Sequence, residues 1–242
     1  MLDPVNALIL IVTCLCSSVL SGIIGTGGAM LLIAVMAMFL PPAAIVPLHG
    51  VVQLVSSVTR GLFGFRHVAW RICGQYLCGA VIGAAVASQF VARIPPGSIP
   101  ILLGAFVLIV TWMPGVQAEV RVPVKFLFFG AGITFLSLFV GATAGLLASL
   151  MLREGLGRDR YVVTVALLAT ISHALKIIAF GLLGFAFSPY ASLLVGMILS
   201  VTLGSYVGTR LRGKVPEKPF RQALKILLTI LALRMILKVT FA

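Results

Sequence analysis

The sequence predicts an all-α integral membrane protein built from two inverted repeats, each a broken-helix hairpin followed by three transmembrane helices, with about eight hydrophobic regions in all. Three observations carry this expectation. The 242 residues are 61% hydrophobic and 10% charged, with a mean hydropathy of +1.20, whereas a soluble domain is nearer half apolar and a quarter charged. Apolar runs of about 18 or more residues recur along the whole length, without the ten-residue alternation of a membrane β-barrel. Finally, the chain matches itself at a shift close to half its length. At 120, "GLFGF" (61–65) falls on "GLLGF" (181–185), Gly25 on Gly145 and Leu32 on Leu152; at 121, Gly83 falls on Gly204 and Pro95 on Pro216.

The first repeat, residues 1–115, reads as apolar segments 5–21 and 26–40 on either side of a glycine break, then 43–65, 70–92 and 97–113. No Lys or Arg precedes the first apolar run, so it reads as a retained span rather than a cleaved secretory signal. The second repeat, residues 116–242, reads as 124–140 and 144–153 flanking "GATAG", then 161–186, 189–209 and 219–240. Loops containing "PP", "RIPPGS", "MPGVQAE" and "REGLGRDR" separate these segments, and no linker or soluble domain interrupts them.

The first break, "SGIIGTGGAM" (21–30), puts four glycines, a serine and a threonine inside a greasy run. Glycine in a helix interior costs about 1 kcal/mol against alanine, and unpaired backbone in lipid costs more. Non-helical backbone at membrane depth is tolerated only where it is buried in protein or lines a cavity, and paired breaks in two halves point to a transporter's binding site. The freed N–H groups of Gly27, Gly28 and Ala29 open the second half-helix, whose positive end suits an anion.

Positive charge orients the chain. If each break folds back as a hairpin, Arg66, Arg71, Arg121, Lys125, Arg153, Arg158, Arg160, Arg210, Arg212, Lys214, Lys218 and Arg221 share one side, twelve against Arg93 and Lys238. If each broken run crosses once, the same fourteen divide nine to five. The positive-inside rule favours the hairpins, with the twelve cytoplasmic and both termini outside. The net charge of +13 is thereby a matter of topology, not of nucleic-acid binding. Cys14, Cys16, Cys73 and Cys78 all fall in apolar segments, without metal-ligand spacing.

The five acids, Asp3, Glu119, Glu154, Asp159 and Glu217, lie in termini and loops, whereas the titratable groups within the membrane are cations and histidines. Such groups are expensive in lipid and are functional candidates by default. His49, Gln53, Ser56, Ser57 and Arg60 recur at steps of three or four and share a helical face; Ser172, His173 and Lys176 do the same in the other half. Gln53 falls on His173 at the repeat shift, so the two faces are expected to meet. Lys176 lies too deep to snorkel, while Arg60, Lys225 and Arg234 lie nearer segment ends. With Thr143 in the second break, these residues make an electrophilic cavity for a small oxyanion.

These features resemble those of the sulfite exporter TauE/SafE family of membrane permeases. The resemblance rests on "GIIGTGG", "VPLHGVVQLVSS", "GLFGF", "GAVIGAAVASQFVARIP" and "GSYVGTRLRGKVP", and covers nearly the whole chain. It implies export of sulfite or organosulfonates such as sulfoacetate across the bacterial inner membrane, and it places a glycine-rich site segment on Gly25, Thr26, Gly27 and Gly28.

The expected activity is secondary transport of a small sulfur-containing anion, with the lipid bilayer as the other partner and no cofactor or metal. No Walker A motif supplies nucleotide energy. Protons could couple through His49 or His173, histidine titrating near pH 6.5, or the membrane potential could drive uniport at about 2.3 kcal/mol per charge per 100 mV. An intramembrane enzyme would need G-x-S-x-G, H-E-x-x-H or paired carboxylates, none of which is present in the membrane segments. A passive anion channel and a non-transporting assembly partner are the alternative classes.

Overall fold

A computed structural model describes residues 3–24, 27–62, 65–113, 122, 124–211 and 217–240. All regular structure among them is helical. The first half contains α1 (Pro4–Ile24), α2 (Gly28–Phe39), α3 (Pro42–Leu62), α4 (Trp70–Val91) and α5 (Ile99–Trp112). The second contains α6 (Lys125–Val140), α7 (Ala144–Met151), α8 (Arg158–Leu182), α9 (Ala191–Leu211) and α10 (Glu217–Thr240). Five helices, α1, α3, α4, α8 and α9, are long and apolar enough to cross a bilayer. With 12 and 8 residues, α2 and α7 extend only about 18 and 12 Å at 1.5 Å per residue, well short of a hydrocarbon core of about 30 Å.

Both breaks are hairpins. A straight helix would separate Gly28 from Ser17 by several turns, yet a Cβ at Gly28 would fall on the Ser17 carbonyl and the Ser21 hydroxyl. The chain has therefore doubled back on α1, and it closes this tightly only at glycine. In the second half, Lys125 at the start of α6 donates to Glu154, just beyond α7, at 2.7 Å. The open end of that hairpin is thus clipped by an ion pair.

Helix directions follow from small-residue contacts. Gly196 packs on Ile11, Gly204 on Leu15 and Ser18, and Gly208 on Val19 and Gly22, so α1 and α9 run parallel. Gly79 packs on Leu127, Gly83 on Ala131 and Gly130 on Tyr76, so α4 and α6 run parallel too. Gly61 faces Ala166 while Gly50 faces Ile177, which makes α3 and α8 antiparallel. Gly104 against Ile236 and Trp112 against Thr229 make α5 and α10 antiparallel. The largest interfaces, α1 with α9 and α4 with α6, each take the opening helix of one half and the fourth helix of the other. Glycines at these seams let backbones approach closely, as membrane packing without a hydrophobic drive requires.

The structure corrects two boundaries and one register. The first "GLFGF" lies at and beyond the end of α3, which stops at Leu62, and its counterpart ends α8 at Leu182 with Gly184 at φ 86°. The returning half-helices begin at Gly28 and Ala144, an offset of 116 rather than 120. A four-residue longer stretch between break and helix end in the second half absorbs the difference, α8 having 25 residues against 21 in α3. Of the basic positions that set the topology, Arg121, Arg212 and Lys214 lie outside the described residues, as do the side chains of Arg153, Arg158, Lys218, Arg221 and Lys238.

Candidate functional site

The three- and four-residue steps along α3 and α8 turn into one buried polar seam. His49, Gln53, Ser56 and Ser57 are buried on α3, and Ser172, His173 and Lys176 on α8. The two faces meet, and the His49 and His173 rings lie 6.3 Å apart, centroid to centroid, edge to face at 74°. A repeat shift says which residues correspond; which ones touch depends on where two antiparallel helices cross, and the shift carries no information about that.

Each polar helix holds one hairpin break. His49 Nε2 donates to the Ala29 carbonyl, in the first turn of α2, at 3.0 Å. Lys176 Nζ donates to the Gly141 carbonyl at 2.9 Å and to His173 Nδ1 at 3.3 Å. Gly141 ends α6 at φ 71° while its N–H still donates to Ser137 O at 3.0 Å. That left-handed turn lifts its carbonyl out of the helical ladder and aims it at the ammonium. A Cβ there would strike Ile33 and come within 3.3 Å of His49 Nδ1, so conformation and space both require glycine. Gly145 sits beside Met30. The second break therefore packs against the first turns of α2 and against His49 of α3, with Lys176 of α8 on its carbonyl.

Lys176 is completely buried, and both of its hydrogen-bond partners are uncharged. Burying an ammonium without a counter-ion is costly, and among the described residues the charge is met by a carbonyl dipole and an imidazole. Two further polar atoms in this region, His49 Nδ1 and Ser137 Oγ, are buried with no hydrogen-bond partner among the described residues.

The other expected site residues divide. Gly25 and Thr26 lie outside the described residues. Gly27 is the residue before α2, with φ 95°, and faces Leu224 of α10. Gly28 opens α2, one residue before the carbonyl held by His49. Thr143 is buried just before α7, its side chain making no cap bond. Arg60 is the outlier. It lies eleven residues beyond His49, about 16 Å along the helix, and reaches back to Ser56 O at 3.2 Å and Ser57 Oγ at 3.4 Å.

Sequence reading missed four residues. Tyr76 Oη lies 2.7 Å from Ser172 Oγ, Thr134 Oγ1 lies 3.0 Å from the same oxygen, and Ser56 bonds Ser205 at 3.4 Å. Ser137 is the fourth, buried one turn before the second break. A signal existed for two of them. Thr134, Ser137 and Gly141 follow one another at steps of three and four in the sequence, a stripe leading into "GATAG". Tyr76 has no such polar stripe. Among the described residues, no group of three His, Cys, Asp or Glu side chains is placed to hold a metal ion.

No curated protein and no solved structure matches the chain. The model of the sulfite exporter TauE/SafE family matches residues 9–235, from the second turn of α1 to the last turns of α10. A buried cation against a hairpin break in a polytopic helical chain is in keeping with anion export, and by this match the chain belongs to the sulfite exporter TauE/SafE family of membrane transporters.

Proposed function

We propose that the chain is a secondary transporter exporting sulfite or an organosulfonate such as sulfoacetate across the bacterial inner membrane, with both termini on the periplasmic side. One observation carries this reading: the ammonium of Lys176, fully buried against the second break, is bonded among the described residues to a carbonyl and an imidazole. A small oxyanion supplies the missing negative charge and accepts charge-assisted hydrogen bonds. In this reading the N–H groups at the start of α2, the Thr143 hydroxyl, and the seam of Gln53, Ser56, Ser57 and Ser172 supply further donors to the anion.

In this mechanism the anion displaces the Gly141 carbonyl from Lys176. The second break is then released from α8, and the two halves, 1–115 and 116–242, rock about the seam as inverted repeats to open the site on alternate sides. Arg60, at the basic end of α3, draws anions towards the seam from the cytoplasmic side.

The test is flux of radiolabelled sulfite into proteoliposomes, comparing wild type with Lys176→Met and adding sulfoacetate, sulfate or thiosulfate as competitors. Saturable flux that is lost in the variant and reduced by sulfoacetate is expected. Sulfite flux no greater than in empty liposomes, with folded protein, rejects the substrate; undiminished flux in Lys176→Met rejects the site. Flux without saturation or counterflow points to a passive channel instead.

A further inference from the structure

Hydrogen-bond geometry assigns the protons around the seam. The Ala29 carbonyl can only accept, so His49 Nε2 carries the hydrogen of their 3.0 Å bond. The ammonium of Lys176 can only donate, so His173 Nδ1 accepts at 3.3 Å and the His173 proton sits on Nε2. This leaves His49 Nδ1 as a bare lone pair. The residue is completely buried, and that nitrogen has no partner among the described residues. It is directed towards the second break, at the position a Cβ on Gly141 would approach to 3.3 Å.

The groups facing His49 are few. α2 contributes the Ala29 carbonyl, the second break contributes Gly141, and α8 contributes His173 and Lys176. On α3 itself Gln53 follows one turn on and Arg60 lies farther along. Tyr76, from α4, bonds Ser172, the residue before His173. Among the described residues the ionised partner of an acid in this half is Lys125, which Glu154 occupies at the open end of the hairpin. A proton on His49 Nδ1 therefore creates a second buried cation beside Lys176, with no carboxylate among the described residues placed to offset it. An anion bound at Lys176 removes that repulsion and accepts the new N–H. Anion and proton thus favour each other's binding, and linkage makes the effect reciprocal.

We propose that His49 carries one proton with each anion, making the chain a proton-coupled exporter whose proton site is Nδ1 of this residue. The inference rests on the reading of the seam as the anion site. The balance is simple: a proton from water on the loading side adds to the Nδ1 lone pair, forming an N–H bond, and returns to water on the release side. No bond within the anion is made or broken.

The probe is radiolabelled methanesulfonate, a strong-acid anion that cannot carry a proton itself, with a pH dye trapped in voltage-clamped proteoliposomes and parallel vesicles given labelled sulfite. In wild type, entry of methanesulfonate acidifies the lumen with about one proton per anion. In His49→Gln, whose amide still donates to the Ala29 carbonyl, the proton-to-anion ratio falls about tenfold or more, while His173→Gln keeps it. Methanesulfonate entry without proton movement in wild type overturns the inference and leaves anion transport standing. Entry of sulfite but not methanesulfonate also overturns it, since the proton then travels on the substrate. Loss of the ratio in His173→Gln instead of His49→Gln moves the site to the other histidine and rejects His49. If neither anion enters, the anion-transport reading fails, and this inference fails with it.

Discussion

The two hairpin breaks share an architecture and differ in chemistry. In the first, Gly28 is pressed onto the Ser17 carbonyl, the tip residue Gly27 meets a flexible Leu224 side chain, and the tether is an imidazole bonded to Ala29. In the second, Gly141, Ala142 and Thr143 are all buried, and the tether is a full positive charge on the Gly141 carbonyl. The first break is a packing hinge and the second is the charge-bearing one. Two halves that each carry a broken hairpin need not divide the chemistry equally, and here the buried lysine belongs to one of them.

Glycine substitutions at the closest approaches of the two breaks should have the largest effects. Gly28→Ala drives a methyl into backbone that cannot swing aside, and Gly141→Ala adds left-handed strain to a clash with Ile33. Overpacking costs about 1–3 kcal/mol and strained backbone a similar amount. Each variant should therefore lose about 2–4 kcal/mol of stability in detergent, or fail to accumulate. Gly145→Ala, whose new methyl would meet only the end of Met30 at 3.6 Å, should stay within about 0.5 kcal/mol. Equal tolerance at Gly28 and Gly145 would break the contrast between a closed hinge and an open tip.

A second test concerns what the cation contributes. Replacing a buried charge by an apolar residue of similar volume is often neutral or stabilising by about 1–4 kcal/mol. Lys176→Met should therefore melt at or above the wild-type temperature although it transports no anion. A large drop in melting temperature would instead mean that the ammonium is there to hold Gly141, and that the second break is as structural as the first.

Tyr76→Phe removes one of two hydroxyl partners of Ser172. Loss of a buried hydrogen bond costs about 0.5–1.5 kcal/mol, a shift that thermal unfolding should resolve. The smallest effect belongs to the clip at the mouth of the second hairpin. Lys125 and Glu154 are 27% and 15% exposed, so Glu154→Gln should cost only about 0.2–1 kcal/mol and less at high salt. A larger loss would show that the second hairpin depends on its mouth rather than on its tip.

Much of the helical layout was legible in the sequence. Long apolar runs predict spans because backbone in lipid must satisfy its own hydrogen bonds, and each predicted segment has a helix within a few residues of it. The hairpin reading rested on charge counting alone, and Gly28 on Ser17 and Lys125 on Glu154 now give it a physical basis. The polar faces were legible because three- and four-residue spacing defines a face before any partner is known. Their partners were not. Tyr76 sits in a helix whose neighbours in sequence say nothing of Ser172, ninety-six residues away.

The sequence by itself determined which segments are helices, where each run breaks, and which residues are too polar to face lipid. These follow from the local balance between backbone hydrogen bonding and an apolar solvent. Only the tertiary structure decided that His49 meets His173, that Lys176 holds the second break rather than the first, and that Nδ1 of His49 is left without a partner among the described residues. These depend on where antiparallel helices cross and on a single left-handed glycine freeing one carbonyl, and an offset between two halves of a sequence encodes neither.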